Sequence, residues 1–208
     1  MVKNIINNGS GETASLLQRL QTNFNLNFHK QHMHSLVVFC GSRTGNDSLF
    51  ITHATRLGKL MAERNITLIY GGGSVGIMGT LADSVMEHGG KVTGVIPELL
   101  LAWEAQHLGI TELKVVTDMH VRKKLMYEMA DAAIVLPGGH GTLDELFEML
   151  TWNSLKIHDK HIYILNTNGF YNHLIAHLYQ MFESGFLYDT IENRITVLDE
   201  PEDLIMHL

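Results

Sequence analysis

The chain of 208 residues has a single cysteine, three prolines and fewer basic than acidic side chains. One cysteine excludes an intramolecular disulfide framework and is typical of a reducing compartment. Fifteen Lys and Arg against 22 Asp and Glu give a formal net charge of −7, which excludes the basic face of a general nucleic-acid binder. No apolar run reaches the roughly 18 residues of a membrane span. We therefore expect neither a nucleic-acid partner nor a membrane partner.

The first 34 residues differ in composition from the rest of the chain. They lack the apolar core and cleavage pattern of a secretory signal, so the simplest interpretation is a cytoplasmic protein. They are rich in Asn and Gln and carry little apolar patterning. We interpret residues 1–34 as an N-terminal extension, partly helical around Ser15–Thr22, and residues 35–208 as the domain. A loosely held terminus and a partner-binding arm both stay open for the extension.

From Ser35 onward, apolar runs of strand character alternate with segments of helical spacing. The strand runs are continuously apolar, which is typical of strands buried on both faces of a parallel sheet. Repeated βα units predict an α/β fold, a single Rossmann-like doubly wound sheet with helices on both faces. Strands are predicted at 36–40, 67–70, 91–96, 113–117, 132–136, 161–165 and 195–198. Helices are predicted at 49–64, 76–88, 97–107, 120–130, from 140 to about 156, and 171–183.

Glycine is abundant, with 19 residues, and five of them lie in the loop Gly71–Gly79. Gly71, Gly73 and Gly76 match G-x-G-x-x-G between a strand and a helix, the dinucleotide-binding pattern. The next strand ends in Gly94-Val95-Ile96-Pro97 and lacks the acidic residue that would hold a ribose. A tight packing turn, a nucleotide contact and a complete NAD site all stay open for this loop.

A second glycine loop, LPGGHGTLDE at residues 136–145, also joins a strand to a helix. Its glycines, Gly138, Gly139 and Gly141, leave backbone N–H groups available to one anion, and the helix N-terminus adds positive potential. The hydroxyl of Thr142 adds a further donor. This chemistry suits a phosphate, although no Gly-Lys-Ser/Thr follows and the loop is not a P-loop.

Thr142 and Glu145 also allow a purely structural interpretation. Thr-x-x-Glu at a helix start is the pattern of a capping box, in which both side chains satisfy backbone N–H groups. The spacing alone favours this interpretation, whereas the position after a strand favours a ligand role.

Three adjacent cations, Arg122, Lys123 and Lys124, begin the helix that follows the fourth predicted strand. In an acidic chain they stand out. The three cations are consistent with a solvated helix face. They are also consistent with an anion-binding site, because the planar guanidinium of Arg can donate two parallel hydrogen bonds.

In combination these motifs resemble the LOG (Lonely Guy) family, formerly labelled lysine-decarboxylase-like. Pro137 to Glu145 match the family pattern P-G-G-x-G-T-x-x-E, Met119 to Lys123 match M-H-x-R-K, and Gly71–Gly79 match the glycine loop. The order and spacing fit across roughly residues 35–200. No segment resembles a pyridoxal-phosphate lysine site.

The resemblance implies a phosphoribohydrolase that cleaves the N-glycosidic bond of nucleoside 5′-monophosphates to free base and ribose 5-phosphate. Cytokinin riboside 5′-monophosphates and AMP are the substrates implied. The family also implies a homodimer, with no cofactor and no metal.

Carried over by motif, Arg122 and Glu145 are the catalytic pair. Glu104 fits a substrate-contact position with less local pattern to anchor it. The complete candidate set for substrate binding is Gly73, Glu104, Met119, Arg122, Lys123, Gly138, Gly139, His140, Gly141, Thr142, Leu143, Asp144, Glu145 and Thr151.

Several positions depart from the family pattern. His140 stands where plant members commonly have Tyr, and Asp144 replaces a common Glu. Lys156 and His161 replace a frequent Gly and Pro, and residues 1–34 are additional. These departures leave base specificity and oligomeric state open.

Cleavage of an N-glycosidic bond develops positive charge on the ribose, as in glycoside hydrolysis. Glu145 is the residue expected to face the ribose, stabilise the cationic sugar and orient water. Arg122 is assigned an electrostatic role, because a guanidinium is a poor proton donor. Thr142 and the glycine loop would hold the 5′-phosphate and anchor the sugar for reaction.

Rival functions use the same residues differently. A nucleotide-binding module without turnover is the main alternative, and an NAD(P)-dependent oxidoreductase is disfavoured by the missing acidic residue. Thirteen His residues include His29, His32 and His34, but no Cys or carboxylate completes a metal-ligand set. Cys40 is interpreted as a small buried residue.

Overall fold

A computed structural model of the chain describes residues 33–101 and 106–208. In this part of the chain seven parallel strands form one sheet in the order β4-β3-β2-β1-β5-β6-β7. The strands are β1 Ser35–Phe39, β2 Thr67–Tyr70, β3 Val92–Pro97, β4 Glu112–Val116, β5 Ala132–Val135, β6 Ile162–Leu165 and β7 Ile195–Leu198.

Helices occupy most of the described connections between strands. They are α1 Ser48–Glu63, α2 Gly76–Glu87, α3 Met119–Met129, α4 His140–Ser154 and α5 Asn172–Glu183. Shorter 3₁₀ segments span Glu98–Leu100, Thr167–Gly169, Ile191–Asn193 and Pro201–His207. None of these helices is long and apolar enough to cross a membrane.

The sheet confirms the doubly wound fold, because the chain builds outward from β1 to β4 and then returns to add β5 on the other side of β1. Leu36 pairs with Leu68 of β2 and with Ala132 of β5. Helices α1 and α2 pack against each other. Met126 of α3, Met149 of α4 and Leu178 of α5 instead join one apolar cluster with alternate strand residues, which places helices on both faces.

The predicted helix 97–107 is wrong in the residues of it that the structure describes, 97–101 and 106–107. Pro97 is the last residue of β3, and Glu98–Leu100 form only a single 3₁₀ turn. Gln106 pairs with Gly73 in an isolated antiparallel bridge, and His107 donates its backbone N–H to Gly72 at 2.9 Å. Pairing with the first glycine loop therefore takes the backbone groups that a helix would use. The helix predicted around 15–22, and nearly all of the predicted extension, lie outside the described residues.

Candidate active site

A cavity of about 770 Å³ opens where β1 and β5 end, at the point where the strand order reverses. Ligands of doubly wound sheets bind at this position. The walls come from the end of β1, from loops after β1, β2, β3, β5 and β6, and from the starts of α1, α2, α3 and α4. They are formed by Val38, Cys40, Gly41, Ser42, Arg43, Gly45, Phe50, Gly71, Ile77, Met78, Leu100, Met119, Arg122, Pro137, Gly138, Gly139, His140, Gly141, Thr142, Asp144, Glu145 and Phe170.

Backbone hydrogen bonds join three of these walls directly. Gly41 donates its N–H to the Pro137 carbonyl at 3.1 Å, so the β1 loop is attached to the second glycine loop. Met78 donates its N–H to the Gly41 carbonyl at 3.3 Å, which attaches the start of α2. Backbone hydrogen bonds therefore hold these wall segments together, and the shape of the cavity does not depend on side chains alone.

The second glycine loop places the N-terminus of α4 on the cavity. Gly139 is the N-cap and contributes no side-chain hydrogen bond to the helix, so the first-turn N–H groups have no intrahelical or capping partner. A methyl group added at Gly139 or Gly141 would meet no atom within 4 Å. Exposed N–H groups and open space at a helix start form an anion-binding arrangement.

Thr142 does not form the capping box that its spacing allowed. The helix begins at His140, three residues earlier than that interpretation requires, and Thr142 is buried in the first turn. Gly138 makes this possible, because a methyl group there would lie 2.7 Å from the Thr142 Cβ. Thr142 and Glu145 are thus both inside the helix and both on the cavity wall.

Arg122 is buried at the start of α3, and its guanidinium is anchored to two strand ends. Its Nε donates to the Val95 carbonyl at 3.1 Å and its Nη2 donates to the Gly71 carbonyl at 3.2 Å. Any side chain at Gly71 would overlap this guanidinium. Asp118 caps α3 by accepting from the N–H groups of His120 and Val121. A fixed positive charge therefore faces the cavity.

Glu145 is half-buried in the second turn of α4, on the same cavity. Tyr127 donates its hydroxyl to the Glu145 carbonyl at 3.2 Å and contacts the Glu148 carboxylate at 3.0 Å. Burial and then the charge of Glu148 raise the pKa of Tyr127, which keeps its hydroxyl protonated. Tyr127 thus holds the turn of α4 that carries Glu145.

Cys40 closes the floor of the cavity at the end of β1, where it is buried as the sequence suggested. Burial raises the pKa of its thiol, and the nearby negative charge of Glu145 raises it further. A neutral thiol is a poor nucleophile.

Lys123 does not line the cavity, unlike its neighbour Arg122. Its Nζ lies 3.1 Å from Asp144 and 3.0 Å from Glu148, joining α3 to α4. Burial lowers the pKa of Lys123, but hydrogen bonds to Glu148 and Asp144 outweigh it and the net pKa is raised. Lys124 is exposed and lies 3.7 Å from Glu128 on its own helix. The three adjacent cations therefore do not converge on one anion.

The structure brings together most of the predicted substrate-binding residues. The cavity wall contains Met119, Arg122, Gly138, Gly139, His140, Gly141, Thr142, Asp144 and Glu145. Leu143 packs against the apolar core instead. Thr151 donates its hydroxyl to the Phe147 carbonyl within α4 at 2.7 Å, and the Gly73 backbone pairs with Gln106. Glu104 lies outside the described residues.

Arg43, Phe50 and Phe170 line the cavity but were not singled out from the sequence. The loop that holds Arg43 follows β1, so the rule that ligands meet the carboxyl ends of strands pointed to it. No recognisable motif marks any of the three. Within residues 33–101 and 106–208, no group of three His, Cys, Asp or Glu side chains is placed to hold a metal ion.

Fold and cavity together define a Rossmann-like α/β protein with a glycine loop and a helix start at its switch point. A family model described as "Possible lysine decarboxylase" matches residues 78–208. The cytokinin riboside 5′-monophosphate phosphoribohydrolase of Rhodococcoides fascians is 44% identical over 172 residues, 82% of this chain and 87% of that protein. Arabidopsis thaliana LOG1, which carries the same name, is 42% identical over 173 residues, 83% of this chain and 81% of that protein.

Among solved structures, the molybdenum cofactor carrier protein of Chlamydomonas reinhardtii superposes with a TM-score of 0.63. It is 18% identical and the match covers 83% of this chain and 93% of that one, so it supports the fold alone. The family model and the relatives above 40% identity show the family as well as the fold. The chain belongs to the LOG family, as the glycine-loop and M-H-x-R-K motifs predicted.

Proposed function

We propose that the chain hydrolyses the N-glycosidic bond of purine nucleoside 5′-monophosphates, releasing the base and ribose 5-phosphate. Its relatives in Rhodococcoides fascians and Arabidopsis thaliana are named for this activity on cytokinin riboside 5′-monophosphates. The observation that carries the proposal is the meeting of Arg122, Glu145 and the anion-binding start of α4 on one cavity. Arg122 comes from α3, whereas Glu145 and the helix start are on α4, and the three features match the three parts of such a substrate.

The phosphate end of the substrate is assigned to the start of α4. Unsatisfied N–H groups and the helix dipole favour a dianion there. The opposite part of the wall is apolar, with Phe50, Ile77, Met78 and Phe170, and suits a flat base. A nucleotide laid between them brings its ribose past Glu145, which lies one turn further along α4 than the phosphate site.

Glu145 is assigned to the reacting carbon. A negative carboxylate stabilises the oxocarbenium-like sugar as the bond to the base breaks. It also accepts a proton from the attacking water, whose oxygen bonds to C1′ while the bonding electrons leave with the base. The departing nitrogen gains a proton in turn. Tyr127 and the Lys123 ion pairs hold α4, and therefore Glu145, at a fixed distance from the site.

Arg122 is assigned to electrostatics rather than to proton transfer. A guanidinium is a poor proton donor, and the hydrogen bonds from Arg122 to the Val95 and Gly71 carbonyls prevent it from following a mobile ligand. A preorganised charge of this kind stabilises the electron density that develops on the leaving base without reorganisation.

The test is release of free base from AMP and from isopentenyladenosine 5′-monophosphate, measured by chromatography. Glu145→Gln preserves shape and removes the charge, so we expect kcat to fall at least about a hundredfold. Glu87→Gln, on the exposed end of α2, is the matched control and should leave kcat unchanged. Equal base release by wild type and Glu145→Gln would remove Glu145 from the mechanism.

The same assay separates the main alternative, a nucleotide-binding module without turnover. That alternative predicts a rise in melting temperature with AMP but no free base from any nucleotide. The rates on AMP and on the isopentenyl nucleotide also decide base preference, for which His140 and the apolar wall are the candidate determinants.

We also propose a homodimer in the cytoplasm, with a catalytic domain of residues 35–208 preceded by the extension 1–34. Exposed apolar side chains at the start of α3 and directly after α4 support association: Met119, Val121, Leu155 and Ile157. The single cysteine supports a reducing compartment. Light scattering of the purified chain measures the assembly, and a monomeric mass at working concentration would contradict it.

A further inference from the structure

The cations predicted to clamp the phosphate are largely committed to the protein itself. Lys123 is bound by Asp144 and Glu148, and Lys124 lies beside Glu128 on the solvent side of α3. Arg122 reaches the cavity, but two backbone carbonyls hold its guanidinium. A doubly charged 5′-phosphate therefore lacks a mobile counter-charge among the residues expected to supply it.

Arg43, in the loop after β1, supplies a cation to the cavity wall. Of the described residues that line the cavity, only Arg43 and Arg122 carry an Arg or Lys side chain. Arg43 is exposed, and within the described part of the chain it forms no ion pair with a carboxylate. Its guanidinium thus remains available to a ligand.

The backbone that carries Arg43 is fixed, although the side chain is exposed. Gly41, two residues earlier, is hydrogen-bonded to Pro137 of the second glycine loop. The start of α2 packs closely against the loop after β1. A methyl group at Gly76 would lie 2.5 Å from the backbone nitrogen of Arg43. Arg43 is therefore held next to the loop to which the phosphate is assigned.

We propose that Arg43 binds the 5′-phosphate of the nucleotide together with the start of α4. This inference rests on the proposed function and adds a substrate-binding residue to it. A guanidinium matches two phosphate oxygens with parallel N–H bonds, and this geometry distinguishes a nucleotide from a nucleoside. Because Arg43 is assigned to the phosphate and not to the reacting C1′, we expect it to affect binding rather than bond cleavage.

The experiment compares Arg43→Ala and Arg43→Lys with wild type in steady-state hydrolysis of AMP. We expect Arg43→Ala to raise KM about tenfold, the usual effect of losing a hydrogen bond to a charged group, with kcat within about threefold. Arg43→Lys retains the positive charge but not the planar pair of N–H donors. Its KM should lie between those of wild type and Arg43→Ala. Arg64→Ala, the same change at the exposed end of α1 outside the cavity, is the matched control.

A second readout needs no turnover. Binding of ribose 5-phosphate, measured by calorimetry, should weaken in Arg43→Ala by the same factor as KM rises, while adenosine binding stays unchanged. The difference from wild type should shrink at 0.5 M salt, because exposed charges are screened.

Two results would overturn the assignment: an unchanged affinity of Arg43→Ala for ribose 5-phosphate, or an equal loss of affinity for adenosine. A wild-type protein that releases no base defeats the proposed function instead, and ribose 5-phosphate binding still decides the role of Arg43.

Discussion

The two glycine loops look alike in sequence and differ in what their glycines face. In Gly71–Gly79 the missing side chains make room for protein: the Arg122 guanidinium at Gly71, the Ser42–Arg43 backbone at Gly76 and the Ser74 carbonyl at Gly79. In the second loop, Gly139 and Gly141 face open space at the start of α4. The same residue type therefore serves packing in one loop and access for a ligand in the other.

This comparison explains why G-x-G-x-x-G is a weak indicator of a dinucleotide. A glycine is required wherever backbone approaches another group closely, whether that group is a pyrophosphate or part of the protein. Here the first loop holds the buried guanidinium of Arg122 in place, so it contributes to the site indirectly. The second loop presents its N–H groups to the cavity directly.

Gly76→Ala should have the largest effect and should act on folding. The new methyl group meets the Ser42–Arg43 backbone, and φ at this position is +64°. Positive φ and overpacking together should cost about 3 kcal/mol of unfolding free energy, measured by denaturant titration. Gly89→Ala is the control, because φ there is +76° but no atom lies within 4 Å. Equal losses of unfolding free energy in both variants would mean that backbone strain, and not packing, explains the requirement for glycine at position 76.

Gly71→Ala should act mainly on catalysis. Its methyl group displaces the Arg122 guanidinium from the Gly71 carbonyl, and misplacement of a catalytic group by about 1 Å costs roughly a hundredfold in rate. We expect kcat for base release to fall by that factor, with a smaller loss of stability. A variant with unchanged kcat would contradict the assignment of Arg122, provided that its melting curve shows a folded protein.

Gly141→Ala should have the smallest effect. Unlike Gly76→Ala, it should weaken substrate binding and leave folding intact. The position is inside α4 with open space around it, so alanine should leave stability unchanged or raise it by up to about 1 kcal/mol. The methyl group would occupy space assigned to the ligand and raise KM for AMP severalfold. A loss of stability comparable to that of Gly76→Ala would contradict the interpretation that the second loop serves ligand access and only the first serves packing.

The fold was largely predictable because its signals are local. Continuous apolar runs mark strands buried on both faces, and the predicted β2 and β7 match the observed Thr67–Tyr70 and Ile195–Leu198. The helix predicted at 97–107 failed for a non-local reason, since its backbone pairs with a glycine loop about 30 residues away in the chain. Helical spacing of apolar residues carries no information about such a partner.

The sequence by itself determined the α/β class, the family and the two motifs that contain Arg122 and Glu145, because these depend on residue type and short spacing. Only the tertiary structure decided what each glycine and each cation does. Lys123 is adjacent to Arg122 in the chain, yet it binds carboxylates between two helices, whereas Arg43, some 80 positions earlier, reaches the cavity wall. Side-chain direction on a helix and the convergence of parallel strand ends cause this reassignment, and both arise only when the sheet is assembled.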